Sequence, residues 1–235
     1  MKIPYYHVDV FAEKPFEGNP AIVCVLQEWL NDETLQKITK EFNQPITTFL
    51  VHGKSKSDIR WFTNNQEVYP CGHGALAAAY VIKNHLSQNQ TTPRVSFKTI
   101  KQPIDVDWQN ALSIKLPAAT LEEEKIPDHM ERMVGYMPSL MLRSDDRHIA
   151  IFDDERKILH AQPNFELIKD LDLKGLVICA ASQEYDFVSR TFAPQIGVDE
   201  DYVTGSSHAA LAPYWHQVLD QKQLHARQLS ARPGN

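Results

Sequence analysis

Cys71-Gly-His-Gly-Ala-Leu-Ala-Ala-Ala-Tyr80 and Thr204-Gly-Ser-Ser-His-Ala-Ala-Leu-Ala-Pro-Tyr-Trp215 decide how this chain is read. With His73 laid on His208, each passes from small polar residues through a His into an Ala/Leu run and an aromatic. The echo continues upstream, where Arg60-Trp-Phe-Thr63 answers Arg190-Thr-Phe-Ala193. Phe62 and Phe192 are 130 residues apart and the two His 135, which places five extra residues in the second copy, around Gly197–Asp201. A repeat spanning half the chain predicts two like halves, since solenoid periods are far shorter.

Both stretches read as a strand end, a glycine turn and the start of an Ala-rich helix. The first turn of a helix offers unpaired N–H groups and a partial positive charge. Glycine lets a ligand approach that backbone. Two such starts facing each other across a cleft would hold a small anion such as a carboxylate. One copy alone reads better as a packed helix with a glycine turn. Two copies, each with a His and a small hydroxyl or thiol, favour a site.

Working outward, Ile3–Val10 and Ala21–Leu26 have strand character, joined by the turn-rich Pro15–Pro20. Asn31 is a candidate cap for a helix carrying Leu35, Ile38 and Phe42 and ending near Asn43. Thr47–His52 and Ile59–Thr63 read as strands around a polar turn, Gly53–Ser57. The loop Asn64–Pro70 leads to the first site helix, which runs to about His85. Ser87–Pro93 is a polar linker. Val95–Thr99, Ile104–Trp108 and Ala111–Leu116 close the first half. A boundary in Pro117–Pro127 divides the chain into residues 1–117 and 118–235. The second half offers strands at Met130–Val134, Ser139–Arg143, His148–Phe152, Gly175–Ala180 and Phe187–Phe192. Asp153–Arg156 reads as a turn, Phe165–Asp170 as a short helix and Ala193–Val203 as a loop. Pro213 should kink the second site helix. The pattern predicts an α+β protein of two similar halves, each a barrel-like, mostly antiparallel sheet around a central helix.

The totals narrow the function. The chain has 235 residues, 43% of them apolar, and a net charge of −6, which with no basic stripe argues against nucleic acid. No apolar run reaches the length of a membrane span. The N-terminus lacks the apolar core of a signal peptide. Three widely spaced cysteines, Cys24, Cys71 and Cys179, argue against a disulfide framework and a zinc site. A cytoplasmic protein is expected, and the Asn89-Gln-Thr91 sequon is then without consequence.

Several motifs together resemble the phenazine-biosynthesis (PhzF-like) isomerase family. They are Gly18-Asn-Pro-Ala21, the Cys71-Gly-His-Gly helix start, Asp186-Phe-Val-Ser-Arg-Thr-Phe-Ala-Pro194, and Glu200-Asp-Tyr-Val-Thr-Gly-Ser-Ser-His208. The resemblance runs from Pro4 to Arg232. It implies the diaminopimelate-epimerase fold, with two similar halves and the site between them. It further implies an isomerase that uses neither metal nor organic cofactor and moves a proton between carbons of a small carboxylate. Homodimerisation is expected on the same ground.

Of the family's catalytic Glu, His, Asp and Ser, three carry over: His73, Asp201 and Ser206. Substrate-binding positions carry over to Asn19, Cys71, Gly72, Gly74, Thr204, Gly205 and Ser207. The Glu does not. Its place in Asn43-Gln-Pro-Ile-Thr-Thr48 is taken by Ile46, which cannot accept a proton. Related two-cysteine epimerases have a thiol at each helix start. Cys71 fits the first place, but Thr204 stands at the second, which argues against a two-thiol racemase. Family members usually continue past Gln228-Leu-Ser-Ala-Arg232 with two or more strands, whereas this chain stops at Asn235, so the second barrel is expected to lack them.

Each carried residue also has a plainer reading. His73 fits a structural histidine, Asp201 a solvated loop acid, Ser206 a helix cap and Cys71 a small apolar residue. Three functions follow: an isomerase impaired at Ile46, a non-catalytic small-acid binder, or a protein with a vestigial site. The first is taken as the class.

Overall fold

The computed structural model describes residues 2–53, 57–86 and 92–235. Most of the turn Gly53–Ser57, most of the linker Ser87–Pro93 and the Asn89 sequon lie outside the described residues. The chain divides into two compact units. One comprises Met1–Val10 with Asn19–Lys115, the other Phe11–Gly18 with Leu116–Asn235.

The first unit contains β1 (Tyr5–Val10), β2 (Asn19–Leu26), α1 (Asp32–Phe42), β3 (Ile46–His52), β4 (Ser57–Phe62) and β5 (Glu67–Val68). Then come α2 (Gly72–Val81), β6 (Arg94–Lys98), β7 (Ile104–Asp107) and β8 (Ser113–Ile114). The sheet order is β1-β2-β3-β4-β6-β7-β8, with β5 on β4. Only β2–β3 and β4–β6 are parallel. The first of these requires a crossover, which α1 supplies. Asn31 caps α1 by accepting from the Thr34 N–H at 2.8 Å, and Asn43 ends it in the left-handed region at φ 47°.

β3 shows how the sheet separates its two faces. Phe49 and Val51 pack with Leu35, Ile38 and Phe42 of α1. The alternate residues Ile46, Thr48 and Leu50 belong to the other face, where Thr48 donates to the Gly74 carbonyl of α2. α2 packs against β1, β2, β3, β7 and β8, strands from both ends of the sheet, so the sheet curls round it. Such a helix must be apolar on all sides. Ala75, Leu76, Ala77, Ala78, Ala79 and Val81 are all buried, and one π-type turn, Ile82–Leu86, extends it.

The second unit repeats this plan. Its elements are β9 (Glu122–Glu123), α3 (Met130–Val134), β10 (Leu140–Arg143), β11 (His148–Phe152), α4 (Glu155–Leu159), α5 (Phe165–Lys169) and β12 (Leu176–Ala181). They continue with β13 (Phe187–Ala193), β14 (Val198–Asp201), α6 (His208–Leu219) and β15 (Ala226–Gln228). β10–β11 is a hairpin as β1–β2 is, and β11–β12 is a parallel crossover like β2–β3. β14 returns on β13 as β5 does on β4, and β15 joins β13 in parallel as β6 joins β4. The fold is therefore α+β with a duplicated, mostly antiparallel sheet around a helix.

Strand alternation sorts this core too. Ile149, Ile151, Val177, Cys179 and Phe187 pack on Leu211 and Trp215 of α6. Ala150, Phe152, Leu176, Ile178 and Val188 pack with Met130, Met133, Ile158 and Ile168 from α3, α4 and α5. Pro213 removes a donor from α6, and the Ala209 carbonyl four residues earlier accepts instead from the Ala119 N–H at 2.8 Å.

Three local expectations change. Met130–Val134 is helical, because Met130, Met133 and Val134 are buried at i, i+3 and i+4 and Gly135 at φ 91° stops the turn. Asp153–Arg156 is not only a turn, since Asp154 caps α4 through the Arg156 N–H. The loop Ala193–Val203 contains β14, held by its ladder to β13.

Candidate active site

Each helix start is delivered by a strand pair locked with an arginine. Arg60 donates Nε and Nη2 to the Glu67 carboxylate at 2.8 and 2.6 Å and lies 5.1 Å over Phe62. Arg190 donates Nε and Nη2 to Glu200 at 2.7 and 2.9 Å and lies 5.1 Å over Phe192. Such forked pairs fix β5 on β4 and β14 on β13.

This geometry corrects the alignment of the repeats. Cys71 caps α2, and Thr204 caps the 3-10 turn Gly205–Ser207 that leads into α6, with matching backbones of φ −132°, ψ 97° and φ −108°, ψ 90°. They are 133 residues apart, so three extra residues separate Arg190 from its helix start, and Ser206, not His208, takes the place of His73. The connections Thr63–Gln66 and Pro194–Gly197 are equally long, and the β13–β14 ladder takes up the extra residues where its register shifts between Thr191 and Ala193. His208 is half-buried. Its Nδ1 lies 3.1 Å from the Thr204 carbonyl and its ring 5.8 Å from Phe187, and burial lowers its pKa.

In the first unit, Cys71 is buried and its Sγ lies 3.8 Å from His73 Nδ1. The glycines beside His73 differ. A Cβ on Gly74 would lie 2.5 Å from Trp61 Cδ1 and 2.8 Å from Thr48 Oγ1, so this glycine lets the helix approach β3 and β4. A Cβ on Gly72 would meet nothing nearer than Ile114 Cδ1 at 4.0 Å, so packing does not demand a glycine there. Neither helix cap bonds its own first turn with its side chain. Ile46 opens β3 and is 2% exposed, and Asn19 opens β2 and is buried.

In the second unit, the Thr204 hydroxyl donates to Asp201 Oδ2 at 2.6 Å, which explains why it does not cap the helix. Gln228, 1% exposed on β15, holds both residues. Its Oε1 accepts from the Thr204 N–H at 2.8 Å and its Nε2 donates to the Asp201 carbonyl at 2.7 Å. Ser207 is buried and donates to the Thr204 carbonyl at 2.7 Å, so its hydroxyl is spent within the turn. Ser206 is exposed, and Arg147 Nη2 donates to its Oγ at 3.3 Å. The Phe11 ring covers Gly205, where a Cβ would lie 3.1 Å from Phe Cζ.

Sequence reasoning missed Gln228, Arg147 and Phe11 as site neighbours. Gln228 was visible only as the start of a family motif. Arg147 sits in Ser144-Asp-Asp-Arg147, which reads as a solvated hairpin turn. An open depression of about 490 Å³ lined by Asp145, Asp146, Asp172, Lys174 and Gln195 contains no residue of either helix start.

The family model described as phenazine biosynthesis-like protein matches residues 8–235. The chain belongs to this family. An uncharacterized isomerase of Pseudomonas aeruginosa is 40% identical over all of this chain and 90% of its own length. A human phenazine biosynthesis-like domain-containing protein is 32% identical, with the same coverage. Among solved structures, a PhzF family protein of Enterococcus faecalis superposes with a TM-score of 0.94 at 36% identity, covering 100% of this chain and 90% of that one. A hydroxyproline epimerase of Agrobacterium vitis shares the fold alone, with a TM-score of 0.53 at 8% identity over 92% of this chain and 80% of its own. The PhzF-like relatives named as isomerases support the isomerase class for this chain. Among the described residues, no helix is long and apolar enough to cross a membrane.

Proposed function

We propose that this PhzF-like protein is a cofactor-independent isomerase that moves a proton between carbons of a small carboxylate, impaired because Ile46 stands where the family places its Glu. His73 is the remaining proton-transfer group, since an imidazole works near neutral pH. Asp201, oriented by Thr204 and Gln228, stores or relays the proton. Ser206 contacts the substrate, as do Asn19, Cys71 and the backbone of Gly72, Gly74, Thr204, Gly205 and Ser207. The observation that carries this reading is the retention of His73 beside Cys71 at a helix start that its cap side chain leaves unbonded.

A second reading, a non-catalytic binder of small acids, is favoured by one observation. Ile46 is 2% exposed, and such burial suits isoleucine and penalises a carboxylate. Ile46→Glu separates the two. With a panel of small unsaturated and amino carboxylic acids in deuterated water, NMR of carbon-bound hydrogen should show exchange accelerated by about 10²-fold or more, the usual worth of a positioned general base. Unchanged exchange in a variant that keeps its melting temperature points to the binder.

A further inference from the structure

Arg147 lies in the β10–β11 hairpin turn, closed by the Ser144 N–H and hydroxyl on the Arg147 carbonyl at 3.0 and 3.1 Å. The residue after it, His148, opens β11 as Asn19 opens β2 in the first repeat. Its guanidinium, 12% exposed, donates Nε and Nη2 to Asp146 at 2.8 and 2.9 Å. That fork holds the Asp146 carboxyl below the usual carboxylate range and fixes the plane of the guanidinium. Nη2 also donates to Ser206 Oγ, 59 residues along the chain, at 3.3 Å.

An arginine has five donors, no acceptor and a permanent charge, whereas a serine hydroxyl can donate or accept. Because Arg147 donates to it, the Ser206 oxygen is the acceptor of that bond. Its own proton must point elsewhere, and Ser206 is exposed. The hydroxyl is thereby held as a donor beside a fixed positive group. The Arg147 charge reaches this turn, since it adds to burial in lowering the His208 pKa. Asp146 already pairs with the Arg147 charge, so what the arginine leaves to a ligand is chiefly the oriented Ser206 proton, which an anionic acceptor binds more strongly than a neutral amide does.

We propose that Arg147 is a positioning and specificity-determining residue that makes Ser206 an outward hydrogen-bond donor selective for a carboxylate over the matching carboxamide. This rests on the reading of Ser206 as a substrate contact. Asp146 serves by anchoring the guanidinium.

The test compares binding of crotonate, sorbate and benzoate with their carboxamides by calorimetric titration. It uses His73→Ala protein as well as wild type, so that turnover plays no part. Wild type and His73→Ala should bind at least one carboxylate about tenfold or more tighter than its amide, the scale of one charge-assisted hydrogen bond. The paired change Asp146→Asn with Arg147→Gln, which leaves no lone buried charge, should remove that preference. Ser206→Ala should also remove it, and the two losses should not add, because Arg147 acts through Ser206. Arg147→Lys, which keeps the charge, should retain part of it. A preference absent from wild type, or intact in the paired variant or in Ser206→Ala, overturns the proposal. An intact preference in a wild type that exchanges no carbon-bound hydrogen instead sinks the isomerase reading alone.

Discussion

Arg60 and Arg190 occupy the same place in the two repeats, each forked onto a glutamate and laid over a phenylalanine; past them the repeats diverge. The first leads by a short return to Cys71 and His73, at the head of a helix apolar on every side. The second takes a bulged return, places Ser206 where His73 would be, and sets its own half-buried histidine against the Thr204 carbonyl and the Phe187 ring. The difference teaches that the clamps are frame, kept in both repeats, while the residues just beyond them vary. Strand pairing and helix burial constrain both repeats alike, while the first turns differ in the side chains they present, His73 in one and Ser206 in the other. On the proposed function, His73 at the first start transfers the proton and Ser206 at the second meets the anion.

The largest stability effect should come from the glycines of the first start. Gly74→Ala should cost about 3 kcal/mol, the upper range for overpacking, because Trp61 and Thr48 are buried and cannot yield. Gly72→Ala should leave the denaturation midpoint nearly unchanged. Equal losses would mean that both glycines are frame. Next, Gln228→Leu should cost about 2 kcal/mol by leaving the buried Thr204 N–H and Asp201 carbonyl without their partner. Chemical denaturation measures it, and a neutral result would remove Gln228 from the support of the second start.

The smallest effect comes from two histidines whose pKa is lowered. Burial lowers the folded pKa of His208, and likewise of His52. The unfolded chain therefore binds more protons between the lowered value and the ordinary one. Their contribution is full above about pH 6.5 and is lost as the pH falls toward the folded values. Thermal melts should show Tm falling over that window, and His208→Asn should flatten the fall. An unchanged slope in His208→Asn would contradict burial as the cause of its lowered pKa.

Much of the frame was legible because it follows local rules. Asn31, Asn43 and the strand alternation in Phe49–Val51 are short-range signals, and the clamps showed as the repeated Arg-x-Phe. Met130–Val134 misled because five residues with three apolar positions fit either period. The alignment of His73 on His208 failed for a similar reason: identical side chains outweighed the cap backbone, which only coordinates display. Gln228 and Arg147 lie 24 and 59 residues from their partners, Thr204 and Ser206, and no local pattern announces such pairs. Ile46 shows the reverse case, since the resemblance alone made an ordinary core isoleucine informative.

The most direct test of this division of labour is deuterium incorporation at carbon, measured by NMR alongside ligand binding, in His73→Ala and Ser206→Ala. His73→Ala should abolish exchange, a loss of about 10²-fold or more, while carboxylates still bind. Ser206→Ala should weaken carboxylate binding and keep exchange at saturating ligand. Exchange that survives His73→Ala, or carboxylate binding untouched by Ser206→Ala, would contradict the account.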